Sequence, residues 1–276
     1  MKVVRLLALL ALTLGALVAL PAAPASAAIS GIHDLQDTVI GPKGQKVRSR
    51  QIPCPTGETL VAAGAGDADL TSLGGNASGF QHIRAAGLIT GDTPNNVLST
   101  TTTCAPTSQL PADTTVSTVT ITSPSTGIRT GFAPCKLGQV AFGGGGYFVQ
   151  PAGLSTSITA NRLIGSAPAE DGSGWKVTGA TPTASDVLVV RTLCGTLNSV
   201  QPAATTVAPT NGTASRTATC PTARVPLSGG VYLENKNGGD SASGILTSSR
   251  RVANGWSGSA RNLASDDRMV VRVRCV

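Results

Sequence analysis

Six cysteines divide this chain into three segments that carry the same series of landmarks. Each segment opens on a cysteine, reaches a glycine cluster about ten residues later, and closes with a strand-like run that ends on a second cysteine. The pairs are Cys54/Cys104, Cys135/Cys194 and Cys220/Cys275, and they use all 6 cysteines. The opening cysteines lie 81 and 85 residues apart. Self-similarity at a near-constant period is the mark of a repeated structural unit.

Two tryptophans strengthen the match between the second and third segments. Trp175 precedes Cys194 by 19 residues, and Trp256 precedes Cys275 by the same 19. We expect both rings to be buried in equivalent places, as a tryptophan packed near a disulfide is in other β proteins; ligand stacking is the alternative. The first segment has no tryptophan and is a degenerate copy.

The closing runs predict β-strands. They are rich in Val and Leu, and in the last one Arg272 and Arg274 alternate with Val271 and Val273, which is the period of a half-buried strand. After residue 28, no sustained 3.6-residue apolar period is found. The sequence therefore predicts an all-β protein of three tandem, disulfide-linked antiparallel repeats. They form either one pseudo-threefold, β-prism-like unit or three small modules.

The N-terminus predicts export. Lys2 and Arg5 precede an apolar core from Leu6 to Leu20, and Ala25-Ser26-Ala27 fits a cleavage site, which together are typical of a secretory signal peptide rather than a membrane span. Export favours three disulfides, and because each repeat should be self-contained, each is expected to link the two cysteines of one segment. Each bridge closes a loop of roughly 50–60 residues, which stabilises by about 4 kcal/mol in the chain-entropy model.

Composition shifts give the predicted boundaries. A signal peptide (1–27) precedes repeat 1 with its N-terminal arm (28–104), and repeat 2 spans 117–194. Pro/Thr/Ala-rich linkers are expected at 105–116 and 195–215, before repeat 3 at 216–276.

The glycine and tryptophan motifs carry a family resemblance. A cysteine opening, Gly-Gly-Gly-Tyr at Gly144 to Tyr147, Gly-Trp-x-Val at Gly174 to Val177, and an apolar run into cysteine together resemble a secreted actinobacterial module found in extracellular proteins of unknown function. The pattern is also similar to modules at the ends of collagen-like or tail-fibre-like chains, where three chains meet. More distantly, it resembles the β-prism of vitelline membrane outer layer protein I. The first likeness covers the second and third segments well and the first poorly, and none supplies catalytic residues.

The residues favour a non-enzymatic protein. A hydrolase triad needs a histidine base, and His33 and His82 stand in no recognisable triad context. The adjacent acids Glu170-Asp171 and Asp266-Asp267 are interpreted as turn tips rather than paired catalytic carboxylates.

No metal or cofactor is expected. The sequence has no Cys-x-x-Cys and 2 histidines, which is a poor zinc-ligand set. Asp67, Asp69 and Asp92 fit a solvated loop better than a calcium site, because the remaining ligand pattern is missing. The run Gly143–Gly146 lacks the Lys-Ser/Thr of a phosphate loop and is interpreted as structural.

Charge suggests a partner. Without Lys2 and Arg5 the formal net charge falls from +7 to +5, and residues 216–276 alone carry nine basic and four acidic residues. A basic face attracts polyanions. We expect a polyanion-binding face made of Arg250, Arg251, Arg261, Arg272 and Arg274, with anionic cell-wall polymer or glycan as partner. Nucleic acid is disfavoured because stacking aromatics are few. The alternative is that Glu234, Asp240, Asp266 and Asp267 neutralise these arginines.

The sequence thus predicts a secreted, non-enzymatic β-repeat protein, outside the cell or associated with the wall, that binds or adheres at the cell surface or extracellular matrix. The alternatives are a purely structural extracellular protein without a specific ligand, and an unrecognised hydrolase.

Overall fold

The described part of the protein is built almost entirely from β-strands. The computed structural model describes residues 29–42, 46–48, 52–75, 83–88, 97–149 and 161–276. It contains 18 strands and, within these ranges, one 3₁₀ turn at Thr107–Gln109. The predicted all-β fold is therefore confirmed. The predicted signal peptide lies outside the described residues.

Each cysteine-bounded segment, taken from here on together with the residues that precede its first cysteine, contributes six strands. The first provides β1 (His33–Ile40), β2 (Lys46–Arg48), β3 (Glu58–Gly66), β4 (Asp69–Gly75), β5 (Ile83–Leu88) and β6 (Val97–Pro106). The second provides β7 (Thr115–Ile121), β8 (Gly127–Pro134), β9 (Val140–Val149), β10 (Arg162–Pro168), β11 (Gly174–Thr181) and β12 (Val187–Gly195). The third provides β13 (Gln201–Val207), β14 (Ala214–Thr219), β15 (Pro226–Glu234), β16 (Ile245–Val252), β17 (Gly255–Arg261) and β18 (Arg268–Cys275).

These strands form three six-stranded sheets with the same internal order. Sheet I is β1-β6-β3-β16-β17-β14, sheet II is β13-β18-β15-β10-β11-β8, and sheet III is β7-β12-β9-β4-β5-β2. Every sheet thus takes the first, sixth and third strands of one segment and the fourth, fifth and second strands of another. Because each sheet is shared between two segments, the strand order excludes three separately folded modules.

The range 195–215, expected to be a linker, differs in the structure. It contains β13, which pairs with β18 from Gln201 opposite Cys275 to Val207 opposite Met269. Pro202 lacks an N–H donor, and it is accommodated because β13 lies at the edge of sheet II. The Thr/Ala/Pro composition that suggested a linker therefore belongs to an edge strand.

The inner faces of the three sheets share one hydrophobic core. It joins side chains from all three segments, including Leu60, Phe142 and Val271. Trp175 and Trp256, with 2% and 1% of their surface exposed, lie in this core as predicted. Their indole N–H groups donate to Ser166 Oγ and Ser249 Oγ, each at 3.0 Å. Both serines lie on the fourth strand of their segment.

Glycines make room for the two rings. A Cβ built on Gly144 would lie 2.3 Å from Cδ2 of Trp175, and one on Gly229 would lie 2.6 Å from Cδ2 of Trp256. Real Cβ atoms do not approach ring atoms this closely, so a larger residue would displace the indole. These members of the glycine runs are therefore structural, as predicted.

The three disulfides have the predicted pairing. Cys54–Cys104, Cys135–Cys194 and Cys220–Cys275 each lie within one segment, with Cα–Cα distances of 5.7, 5.5 and 5.8 Å. Each closing cysteine stands on the sixth strand, opposite a β-bulge in the third strand of the same segment. A bulge increases local twist, so each disulfide lies beside a locally twisted part of its sheet.

Replacing Trp256 by Ala should lower the free energy of unfolding by about 3–5 kcal/mol, the usual cost of removing a buried large aromatic. Ser249→Ala should cost less, about 1 kcal/mol, because it removes only the partner of the indole N–H. Urea unfolding of both variants measures the difference. A loss below about 1 kcal/mol for Trp256→Ala would contradict the packing described here.

Candidate functional site

The five arginines expected to form one basic face lie on two different sheets. Arg250 and Arg251 stand on β16 and Arg261 on β17, in sheet I. Arg272 and Arg274 stand on β18, in sheet II. The structure does not gather the five arginines on one sheet, because β16–β17 and β18 of the third segment enter separate sheets.

On sheet I, the arginines meet acidic residues of the first segment. Arg261 donates from Nε to Asp69 Oδ1 at 2.7 Å and from a second nitrogen to the other carboxylate oxygen, which makes the contact bidentate. Arg251 NH1 lies 2.9 Å from Asp34 Oδ2. Arg250 is paired more loosely, with NH1 3.9 Å from an oxygen of Asp67. Asp67 and Asp69, considered above as calcium ligands, are therefore partners of arginines.

On sheet II, the arginines hold the turn between β10 and β11. Arg272 donates to the carbonyl of Pro168 at 3.1 Å. Arg274, only 4% exposed, donates to the carbonyls of Ala169 and Glu170. Burial and the nearby charge of Arg272 lower the pKa of Arg274, while Asp171 opposes this change.

All five arginines therefore contact a neighbouring segment. The proposed internal neutralisation was also wrong in its partners, because none of the third-segment acids is among the ion pairs of these arginines within the described ranges. Asp266 pairs instead with Lys236 at 3.4 Å, and Asp240 with Lys176.

Two depressions lie on sheet I, and Arg250 lines both of them. One depression, with a volume of about 600 Å³, lies between the loop at Asp67–Asp69 and residues 207–215. The other, about 400 Å³, lies along β1 and β6. We call these two depressions the sheet I groove.

On β17, strand alternation places hydroxyl groups in this groove, whereas Thr100 and Thr101 of β6 are buried. On β17, Trp256 and Ala260 are buried in the core, so the alternate residues Ser257 and Ser259 face outward. The hydroxyl-bearing residues of the groove are Thr38, Ser99, Thr100, Thr101, Thr210, Thr213, Ser215, Thr247, Ser248, Ser257 and Ser259. Three arginines and four aspartates (Asp34, Asp37, Asp67 and Asp69) also line it, which gives a formal charge of −1. The side chain of Arg250 is 44% exposed.

A second polar cluster lies on the outer face of sheet II, centred on Asp240. Its Oδ1 accepts from Lys176 Nζ at 3.1 Å, from Thr178 Oγ1 at 3.2 Å, and from the hydroxyl of Tyr232. Its Oδ2 accepts from Thr130 Oγ1 at 2.5 Å. The ammonium of Lys176 also lies 4.2 Å from the centre of the Tyr232 ring. The loop after β15 is thus held on strands of the second segment.

This environment changes two pKa values. Burial alone would raise the pKa of Asp240, but hydrogen bonds from Thr130, Tyr232 and Lys176, together with the charge of Lys176, lower it overall. Burial and the adjacent Asp240 carboxylate raise the pKa of Tyr232. The phenol therefore stays protonated and acts as a donor. This cluster could not be predicted from the sequence, because Lys176 and Asp240 are 64 residues apart and share no local motif.

The remaining candidate catalytic and metal-ligating residues either make structural contacts or lie outside the described residues. His33 Nε2 lies 3.3 Å from Glu58 Oε2, and Nδ1 lies 3.1 Å from the carbonyl oxygen of Gly31. His33 and Glu58 lie close to Cys104, but that sulfur is committed to a disulfide. His82 and Asp92 lie outside the described residues.

The adjacent acid pairs differ from each other. Glu170 and Asp171 lie in the turn between β10 and β11, as expected, and Glu170 is largely exposed. Asp267 was wrongly interpreted as a turn tip: it is buried and accepts from Ser241 Oγ at 2.7 Å and from the Ala264 N–H at 2.9 Å. Asp186, which no sequence motif marks, is also buried and accepts hydrogen bonds from Asn161 and Thr181. Both carboxylates organise the turn before a closing strand.

No family model matches the sequence, and no match to it is found among curated proteins. In the described residues, no helix is long and apolar enough to cross a membrane. The resemblances to the actinobacterial module and to the β-prism therefore stay predictions, and function is inferred from the chain's own geometry.

Replacing Arg274 by Ala should destabilise the protein by about 1–3 kcal/mol, because the carbonyls of Ala169 and Glu170 lose their buried donor. The exposed Arg268, on the same strand, is the matched control, and Arg268→Ala should change stability by less than about 0.5 kcal/mol. Chemical unfolding compares them. Equal stability of the two variants would contradict the structural role of Arg274.

Replacing Asp240 by Asn should lower stability at neutral pH by about 1 kcal/mol for each hydrogen bond lost. Because the folded-state pKa of Asp240 is depressed, its contribution is present above the ordinary aspartate pKa of about 3.9 and is lost as the pH falls. The difference between wild type and variant should therefore shrink between about pH 5 and pH 2. Unfolding measured across this range checks it, and a constant difference would contradict it.

Proposed function

We propose that this is a secreted, non-enzymatic binding protein that attaches to a hydroxyl-rich polymer of the cell surface or extracellular matrix. The observation that carries this proposal is the sheet I groove. Its two depressions share Arg250, are lined by residues of β1, β6, β14, β16 and β17, and present hydroxyls beside Asp–Arg pairs.

The lining of the groove suits a polysaccharide. Serine and threonine hydroxyls both donate and accept hydrogen bonds, as sugar hydroxyls do. The pairs Arg261–Asp69 and Arg251–Asp34 fix donors and acceptors in place before binding, which lowers the entropy cost of association. Two depressions that share Arg250 and are lined by five of the six strands match a chain-like ligand better than a small molecule.

The charge of the groove refines the expected partner. The basic excess of the third segment favoured anionic polymers, but the groove itself carries a formal charge of −1. A strongly anionic polymer would meet four aspartates there. We therefore propose an uncharged or weakly charged glycan as the ligand of the groove.

Secretion and the absence of catalysis are part of the same proposal. The N-terminal signal and three disulfides support an oxidising, extracellular environment. His33 is held by Glu58 and Gly31, so it is not placed to activate a nucleophile. We also propose that the chain is related to the actinobacterial module that its motifs resemble.

A purely structural role is the second candidate. It is favoured by the arginines, because their contacts join segments and make the fold more rigid rather than forming a free basic surface. A structural protein would bind no glycan through the sheet I groove.

The experiment is a pull-down of the mature protein with insoluble cellulose, chitin and purified bacterial cell wall across a salt series. Arg250→Ala should weaken binding about tenfold, because it removes a charged donor whose hydrogen bonds are worth roughly 1.5–3 kcal/mol. Its loose ion pair with Asp67 predicts little loss of stability. Arg216→Ala, at an exposed arginine on β14 of the same sheet that does not line the groove, is the control.

Binding by both variants at the wild-type level would refute the sheet I groove as the site. No binding by wild type to any of the three polymers would favour the structural role. Steep weakening with salt would show that a polyanion, rather than an uncharged glycan, is the ligand.

A further inference from the structure

We propose a second glycan-binding site on the outer face of sheet II, which makes this chain a two-site cross-linker of polysaccharide. The site is a cleft of about 690 Å³ between Phe132, Lys176, Arg272 and the turn at residues 169–173. We call it the sheet II cleft. The cross-linking role rests on the proposed function, but the site itself does not.

Phe132 is the feature that points to a ligand. Its neighbours on β8, Gly131 and Ala133, face inward and are buried, so strand alternation turns Phe132 outward. The ring is 41% exposed, and it is the one aromatic among the exposed large hydrophobic side chains of the described ranges. An aromatic ring left in solvent beside polar groups is the usual platform for a flat ligand with an apolar face.

The ring is held in place by a glycine. A Cβ built on Gly174 would lie 2.6 Å from Cζ of Phe132. The ring therefore packs against backbone where any larger residue would displace it, and its other side is left to the cleft. A fixed platform loses little conformational entropy when a ligand stacks on it.

Charged groups surround the platform at fixed positions. Lys176 stands directly opposite Phe132 in the β8–β11 register. An ammonium has three N–H donors, and Asp240 and Tyr232 accept two of them. Arg272 is anchored by the Pro168 carbonyl, and the Glu170 carboxylate lies 3.7 Å from its guanidinium.

This combination selects a sugar ring. The C–H face of a pyranose covers an aromatic ring, while its rim hydroxyls reach cationic donors and a carboxylate acceptor. Lys176 and Arg272 are balanced by Glu170 and Asp171 in the cleft, so the cleft has no net charge that would demand an ionic ligand. The chemistry is that of one or two uncharged sugar units.

The two sites lie on different sheets. Sheets I and II share one core through their inner faces, so their outer faces point in different directions. A polymer chain in the sheet I groove leaves the sheet II cleft free for a second chain. Two sites on one rigid body raise avidity and join separate chains.

The test is isothermal titration calorimetry with three uncharged oligosaccharides that are too short to bridge the sites: cellotetraose, chitotetraose and maltotetraose. Wild type should bind two molecules of at least one of them. Phe132→Ala should bind one, with affinity at the second site reduced at least about tenfold. Ile128→Ala is the control, because Ile128 is another exposed hydrophobic residue on β8 that lies outside the cleft.

The outcomes separate the two sites. If Phe132→Ala binds one oligosaccharide molecule fewer than wild type and Ile128→Ala does not, the result supports the sheet II cleft. This holds whether or not Arg250→Ala also loses binding. Wild-type stoichiometry in Phe132→Ala overturns the cleft, while a loss in Arg250→Ala would still support the sheet I groove. No binding of any of the three by wild type overturns the cleft. Turbidity of soluble hydroxyethyl cellulose should rise with wild type and stay flat with either variant, and equal turbidity would refute cross-linking.

Discussion

The close approach of third and fourth strands from different segments is the constraint on which the structure depends. These strands meet at β3–β16, β15–β10 and β9–β4, and each meeting joins two three-stranded halves into one sheet. There is little room at these seams. A Cβ built on Gly230 would lie 2.1 Å from the Ser166 carbonyl oxygen, and one on Gly64 would lie 2.8 Å from Arg250 Cα. Glycine clusters in the third strands are therefore a condition for assembling the sheets.

The ion pairs of the charged residues also depend on these contacts between segments. Loops that leave a third strand reach the neighbouring segment, where Asp69 meets Arg261 and Asp240 meets Lys176. The basic excess of the third segment is thus compensated across segment boundaries rather than within the segment. Pairs that are partly buried are screened less by salt than surface pairs. Asp69, Arg261 and Lys176 of these pairs also line the two proposed binding surfaces.

Structural features that depend on a pattern within one segment could be predicted from the sequence. Contacts between different segments could not. The landmarks between paired cysteines predicted the disulfides, and the 19-residue spacing predicted two buried tryptophans, because each repeats within its own segment. The arginine partners were missed: Arg251 and Asp34 are 217 residues apart, and Arg261 and Asp69 are 192 apart. Such pairs arise only once a sheet is shared between segments. Phe132 was not predicted as a site residue either. Its side chain is exposed because β8 lies at the edge of sheet II and turns Phe132 outward, and the sequence does not indicate which face of β8 is outward.

The distribution of covalent and non-covalent links has a topological consequence. Disulfides lie within segments, whereas every sheet joins two of them. The three segments therefore form a closed ring in which each segment holds both of the others. A proteolytic nick at 107–114 or 196–200, between the last strand of one segment and the first strand of the next, would cut the chain but leave the two pieces joined through the sheets that they share. Cohesion between the segments therefore rests on strand pairing within the shared sheets and does not need the connecting peptides.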